Sequence, residues 1–404
     1  MDSAEMLNIS DGVHFDESIT KIEYHSYSPF LSSFDNSDEI RICNQNQNFN
    51  ILICESFLYI EGTVKKASDN TLSATAKLVN NYPAYLFEEI RYEINGIEID
   101  RVRNVGHTLT LKHYISLNAN ESKMVLNAGW CPENNIDVSD GNINICLPLK
   151  RILGFAEDYM KIIPNVKHEL ILNRARNDLN AIISPTDDMK FEITKLQWHV
   201  PHVQLHDEQK LLLYKFINSN QSIKMSFRSW DMYEYPVLPT TTHQVWAVKS
   251  STRLEKGRFV IFALQTNRRN LKEKDASRFD HANLTDIKVF LNSDVYPYSD
   301  LNIDFQNNRY ALLYDMYSKF QESYYKTNSQ PLLSPLQFKE IAPIALINCS
   351  HQMCEIKTGP VDLKIEFKCK SNIKPNTSAY CLILHDRIVE YNPLTNNVKR
   401  LENK

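Results

Sequence analysis

A strand-and-turn pattern occurs twice in this chain, 197 positions apart in 404 residues. In the first copy Ile90, Tyr92, Ile94 and Asn95 lead into Gly96, Ile97 and Ile99. In the second, Ile287, Val289, Leu291 and Asn292 lead into Ser293, Val295 and Tyr296. Apolar residues alternate up to an asparagine, the period of a half-buried strand, and a turn and a second apolar run follow. A stretch with helical spacing comes next in each copy, Leu109 to Leu117 and Tyr310 to Tyr325. Each copy then has a Pro-Leu segment (Leu147-Pro148-Leu149, Pro331-Leu332-Leu333) and a strand after a proline (Pro164 to Leu172, Pro360 to Phe367). A long strand closes each, Phe191 to Val203 and Ala379 to Tyr391. A period this long implies two copies of one domain rather than a solenoid.

Short runs rich in Ile, Val, Phe and Tyr, separated by Asn, Asp, Ser and Pro, recur along nearly the whole chain, for example Phe57 to Val64, Val166 to Leu172, Ile223 to Phe227 and Arg258 to Leu264. Such spacing predicts antiparallel sandwiches or barrels. The expected fold is all-β: two tandem eight-stranded antiparallel jelly rolls with a few short helices in loops. The divisions are an N-terminal arm at 1–20, a first roll at 21–205, a linker helix at 206–220 and a second roll at 221–404. Within the linker, Asp207 to Asn218 has amphipathic spacing. Asn95-Gly96 between alternating apolar residues predicts a two-residue type I′ hairpin. Pro201 is expected to break its strand, and Pro331 to Pro343 to form a long ordered loop.

The composition, 43% hydrophobic and 23% charged, suits a folded protein with sizeable cores. A net charge of −4 argues against a dedicated nucleic-acid binder. With nine glycines in all, the chain contains no phosphate-cradling loop and no nucleophile elbow. Met1 to Ser10 is polar and acidic, unlike a signal peptide, and no apolar run reaches the length of a membrane span. The sequons at Asn8, Asn120, Asn220, Asn283, Asn348 and Asn376 are therefore expected to stay unmodified, and the eight scattered cysteines to be reduced.

No group of residues stands out as a reaction centre. His199, His202 and His206 form the densest histidine cluster, but they lack the H-x-H pair, following Glu and glycines of a cupin metal site. Cys349, His351 and Cys354 do not have C-x-x-C spacing, and Cys369 and Cys381 fall on predicted strands as small buried side chains. Glu88 and Glu89 are adjacent on a strand and point to opposite faces; Asp187 and Asp188 are a second acidic pair with no evident partner. No catalytic, cofactor-binding or metal-ligating residue is assigned, and no cofactor or small-molecule substrate is expected. Arg268, Arg269, Lys272 and Lys274 read as a solvated loop or as a weak phosphate contact. The aromatic runs Phe227-Arg228-Ser229-Trp230 and Tyr233-Glu234-Tyr235-Pro236 suit either a core or an interface.

The chain resembles the double jelly-roll major capsid proteins, most closely the capsid-like proteins of Polinton/Maverick and adintovirus-like elements in animal genomes. In the first half the resemblance rests on Phe34 to Ile42, Ser56 to Gly62, Tyr92 to Asp100 and Leu147-Pro148-Leu149. In the second half it rests on Phe227 to Trp230, Leu291-Asn292 with Tyr296-Pro297-Tyr298, Thr358 to Asp362, and His385 to Tyr391. It implies a structural capsid subunit without catalysis, in which three chains form a pseudo-hexagonal capsomer. The implied partners are the homotrimer, neighbouring capsomers, penton or minor capsid proteins and, weakly, packaged DNA. The implied location is the virion, with assembly in the nucleus or cytoplasm of a host cell. Two alternatives stay open from sequence: a domesticated, virus-derived host protein acting as an interaction module, and a β-sandwich hydrolase or bicupin-type enzyme.

Overall fold

Alternating burial along the apolar runs builds four large antiparallel sheets, beside a small one of three two-residue strands. The computed structural model describes residues 18–31, 33–44, 50–73, 75–138, 140–251, 257–350 and 361–401. The arm at 1–17, His351, Cys354 and the Thr358-Gly359-Pro360 segment lie outside the described residues. In the first half the main strands are β1 (Ile19–Tyr27), β2 (Glu39–Asn44), β3 (Phe57–Lys66), β4 (Phe87–Ile94), β5 (Ile97–Arg103), β6 (Asn142–Pro148), β7 (His168–Arg174) and β8 (Met189–Leu205). In the second they are β9 (Ile223–Tyr235), β10 (His243–Ser251), β11 (Gly257–Thr266), β12 (Leu284–Leu291), β13 (Asp294–Tyr296), β14 (Ala345–Asn348), β15 (Val361–Cys369) and β16 (Thr377–Asn392).

The first half pairs as β1–β8–β3–β6 facing β2–β7–β4–β5; the second pairs as β9–β16–β11–β14 facing β10–β15–β12–β13. Adding eight to each strand of the first half reproduces the second. This is two sheets of four strands each, the jelly-roll arrangement, made twice. Short extra strands extend it, including Asn50–Ile51 against β8 and Asn397–Leu401 against β16.

The repeat holds down to single hydrogen bonds. The Asn95 amide donates to the Lys167 carbonyl, and the Asn292 amide donates to the Asp362 carbonyl, at 3.0 Å in both rolls. Asn95 and Gly96 both have positive φ, 54° and 77°, as a type I′ turn requires. In the second copy Asn292 alone has positive φ, 55°, because serine stands where the glycine was. Asparagine fills most left-handed positions in this glycine-poor chain, including Asn81, Asn104, Asn165 and Asn376.

Inward-facing residues close each core. In the first roll Leu58, Ile60, Ile90, Tyr92, Leu170 and Trp198 are buried, and the Tyr92 and Trp198 rings meet edge-on at 6.4 Å across the two sheets. In the second roll Phe262 and Phe367 also meet across the two sheets, tilted by 50° with ring centres 4.9 Å apart.

Four expectations are corrected. Pro201 does not break β8, which runs through it opposite Tyr24 of β1. On its other side the partner changes from Phe57, opposite His199, to Ile51, opposite His202, so the missing N–H falls in a gap of the ladder. Pro331 to Pro343 is not all loop: Pro335–Ile341 is helical, with Pro335 in the first turn and a capping box between Ser334 and Gln337. Tyr310 to Tyr325 is two helices, Ala311–Ser318 and Phe320–Tyr325, which break at Lys319 so that the second can turn Phe320 and Tyr324 inward. The first-roll helix α1 spans Val105–Ser116, starting before Leu109, and all of its residues are buried. The connection from β8 to β9 carries the helix Asp207–Asn218, none of whose residues is buried.

Candidate assembly interface

The two rolls of the chain are joined along a seam. Helix α1 fills it. A helix buried on every side must satisfy its polar side chains within the protein. Lys112, 2% exposed, lies 2.7 Å from Glu157 and 5.1 Å from the centre of the Trp230 ring. His107 stacks on Tyr380 of the second roll at 4.6 Å and shares a 3.3 Å hydrogen bond with Gln265. From the other side Tyr317 Oη donates to the Tyr114 carbonyl at 2.9 Å, and the Gln321 amide donates to the Ser116 and Leu117 carbonyls.

Below α1, strand β9 meets β5 and the short helix α2 (Gly154–Asp158). Asp100, fully buried, accepts from Ser229 Oγ at 2.6 Å and from the Phe155 amide at 3.0 Å, with Arg387 Nη1 3.7 Å away. Asp158 takes Arg228 in a fork: Nε donates to Oδ2 at 2.8 Å and Nη2 to Oδ1 at 2.5 Å, while the Arg228 amide also reaches Oδ2 at 2.8 Å. The guanidinium lies 3.7 Å from the Tyr324 ring centre and donates to the Tyr324 carbonyl. Such bidentate, stacked arginines fix geometry as well as supply energy. At the end bearing the β4–β5 turn, Arg400 holds Glu98 at 2.7 Å and Asn95 donates to the Asn396 carbonyl at 2.7 Å.

Several sequence candidates converge on this seam. Phe227 to Trp230 is its centre, with Phe227 edge-on to Phe155 at 5.1 Å, so the aromatic run is an interface within the chain. The basic stretch docks as well: Arg269 pairs with Glu234, Arg268 with Asp280 at 2.9 Å, and Lys272 with Asp188 of the first roll at 2.8 Å, while Lys274 is exposed. Three of its four cations already hold carboxylates. Asn180 and Asn270 exchange hydrogen bonds across the same boundary.

Other candidates separate. His199 stacks on Phe57 at 4.9 Å on the outer face of its sheet. His202 is buried, stacked on His25 at 4.1 Å and hydrogen-bonded to Tyr27 at 2.9 Å. His206 caps the linker helix through its backbone. Glu88, 3.9 Å from Arg176, and Glu89, 3.1 Å from Arg103, both line a cleft of about 770 Å³ between the rolls, so the adjacent pair, expected on opposite faces of its strand, shares one cleft. Asp187 pairs with Lys66 at 3.3 Å and Asp188 with Lys272 at 2.8 Å. Cys349, Cys369 and Cys381 are buried. Among the described residues no cluster of His, Cys, Asp or Glu is placed to hold a metal ion, and no helix is long and apolar enough to cross a membrane.

The sequence reading passed over Gly154, Lys112, Asp158 and Glu157. One signal was available for Gly154: a lone glycine among apolar residues, Ile152 to Phe155, marks a close backbone approach. A Cβ there would overlap the Arg228 carbonyl oxygen.

Buried imidazoles give the fold an acid sensitivity. Burial, with repulsion from Arg269, pushes His107 down to about 3. Burial, with repulsion from His202, pushes His168 down to about 3; its Nδ1 shares a 2.6 Å hydrogen bond with Tyr92. Burial and His25 push His202 down to about 4, against the pull of Glu23. The unfolded rings titrate near 6.5, so folding stability is complete above that pH and is lost as the pH falls from there toward 4. The expected slope is on the order of 1 kcal/mol per pH unit for each fully buried ring. Urea midpoints measured between pH 7.5 and pH 5 check this; a flat profile would contradict it.

A family model described as the double jelly roll-like domain matches residues 76–389. No curated protein matches the chain. Among solved structures, PBCV-1 VP54, as fitted into a reconstruction of the virophage Sputnik, superposes with a TM-score of 0.60 at 10% identity, covering 98% of this chain and 100% of that one. The Faustovirus major capsid protein gives 0.58 at 9% identity, over 95% of this chain and 93% of that one. The mavirus major capsid protein gives 0.55 at 10% identity, over 98% and 92%. At these identities the likeness is one of fold, and it extends over both rolls. With the strand order repeated in each half and the family model spanning both, the chain belongs to the double jelly roll-like domain family.

Proposed function

We propose that this protein is a structural major capsid subunit whose trimers form pseudo-hexagonal capsomers tiling an icosahedral shell. The observation that carries the reading is the rigid seam. Two rolls of the same strand order are locked side by side by α1, Asp100 and the Asp158–Arg228 fork. Two such units per chain make a three-fold ring approximately six-fold, which suits hexagonal tiling. Support also comes from the fold shared with the Faustovirus and mavirus major capsid proteins.

In this reading the chain divides into an arm at 1–20, a first roll at 21–205, a linker helix at 206–220 and a second roll at 221–404. Its partners are two further copies, neighbouring capsomers and penton or minor capsid proteins, within a virion, and its role involves no catalysis. The sequence segments quoted above favour an origin near the Polinton/Maverick and adintovirus-like elements. Negative-stain electron microscopy of the purified protein tests the reading. Rings of pseudo-hexagonal outline, or closed particles, are the expected images; isolated particles the size of one chain would overturn it.

A further inference from the structure

The first strand of each roll takes the same place in its sheet, yet the two are held in different ways. In the second roll β9 buries Met225, Phe227 and Trp230. In the first roll no residue of β1 is buried. Strand alternation turns Ile22 and Tyr24 outward, half exposed, and Glu23, His25 and Tyr27 inward, where they are partly covered. The row of β1 that faces the protein is titratable at all three positions, and its apolar row faces solvent.

Strand β1 lies at the edge of its sheet and pairs with β8, from Tyr27 opposite Trp198 to Ile19 opposite Leu205. Its inward side chains gather on the buried ring of His202. His25 stacks on that ring at 4.1 Å, the two planes 20° apart, and Tyr27 Oη shares a 2.9 Å hydrogen bond with His202 Nε2. His25 Nε2 lies 4.0 Å from Glu23, which Lys21 also holds. Behind His202, β7 presents His168, bonded in turn to Tyr92 of β4. On the other side of the ladder stands Ile51, which carries no charge. A proton on His202 therefore places a cation in a buried site between two other imidazoles. Glu23 is the carboxylate β1 offers to offset it, and Lys21 already shares that carboxylate.

We propose that β1 is an acid-released strap: protonation at the His25–His202 stack unpairs it from β8 while both rolls stay folded. Local opening of this kind selects the elements with least burial, and β1 is one of them. Burial and His25 hold His202 at about 4 in the closed strand, against about 6.5 for a ring in water. The closed strand is favoured in full above 6.5 and loses that advantage as the pH falls toward 4. Full hydration of the released ring raises the opening equilibrium about 30-fold between pH 7.5 and pH 5. Release uncovers the β8 edge from Trp198 to Leu205. The device works within one chain and stands apart from the capsid reading.

Hydrogen–deuterium exchange of the 404-residue chain, read by mass spectrometry at pH 7.5 and pH 5 with labelling times scaled to the intrinsic rates, is the test. The amides of β1 are expected to lose protection roughly 10-fold or more at pH 5, and those of β8 from Trp198 to Leu205 to follow. The amides of β9, the repeat counterpart with apolar anchors, should keep theirs. His202→Phe leaves a flat ring beneath His25 with no titrating nitrogen, and should make β1 protection equal at the two pH values. His25→Gln, at a partly exposed position, removes the stacked ring without touching the core and should weaken the pH effect. Protection of β1 that is the same at both pH values in the wild type, a loss shared equally by β9, or a full pH effect surviving in both variants overturns the proposal.

Discussion

Gly154→Ala is expected to destabilise the protein by on the order of 3–5 kcal/mol, more than an ordinary overpacked core position, because the obstruction is backbone. The carbonyl oxygen of Arg228 occupies the space a Cβ would need, with the Arg228 carbonyl carbon and Ser229 Cα close behind. No rotamer change relieves that overlap. The chain has to move β9 away from α2, and this pulls Ser229 from Asp100 and Arg228 from Asp158, bonds now 2.6 Å and 2.5 Å long. The urea midpoint should fall sharply, and the two rolls should begin to unfold in separate steps. An unchanged midpoint would mean that the seam tolerates separation and does not hold the rolls in one arrangement.

Arg228→Ala acts on the same strand by charge instead of space. Its loss leaves Asp158, whose side chain is 14% exposed, without the fork that neutralises it. It also removes the plate stacked on Tyr324. Breaking one partner of a buried pair costs about 3–5 kcal/mol; allowing for the partial exposure of this pair, about 2–4 kcal/mol is expected. Arg228→Lys should recover less than half, since an ammonium cannot match both carboxylate oxygens or stack on the ring. A double-mutant cycle with Asp158→Asn measures the coupling directly. A coupling near zero would reduce the pair to a surface ion pair of no structural consequence.

The fold was legible because its signal is local and doubled. Alternation around Ile90 and Ile287, each ending in an asparagine turn, marks equivalent hairpins, β4–β5 and β12–β13, in the two rolls. The seam was not legible, for the opposite reason. Helix α1 carries the polar residues His107, Thr108, Thr110, Lys112 and His113 spread around its circumference, and their burial depends on a second roll distant in sequence. The basic stretch looked free because Asp188, the partner of Lys272, lies in the other roll. Pro335–Ile341 was legible in principle: Ser334-Pro335-Leu336-Gln337 is a capping signature, but the surrounding prolines suggested a loop. Asp100 and Arg387 fall in segments quoted for the family resemblance, and only the structure brings them within 3.7 Å of each other, with Ser229 hydrogen-bonded to Asp100.

In the proposed reading, two locked rolls serve to build a three-chain ring. Multi-angle light scattering of the purified 404-residue chain at neutral pH is the test. The expected mass is three times the 47.0 kDa of one chain, with no monomer at micromolar concentration. A single species of 47.0 kDa at every concentration would contradict it.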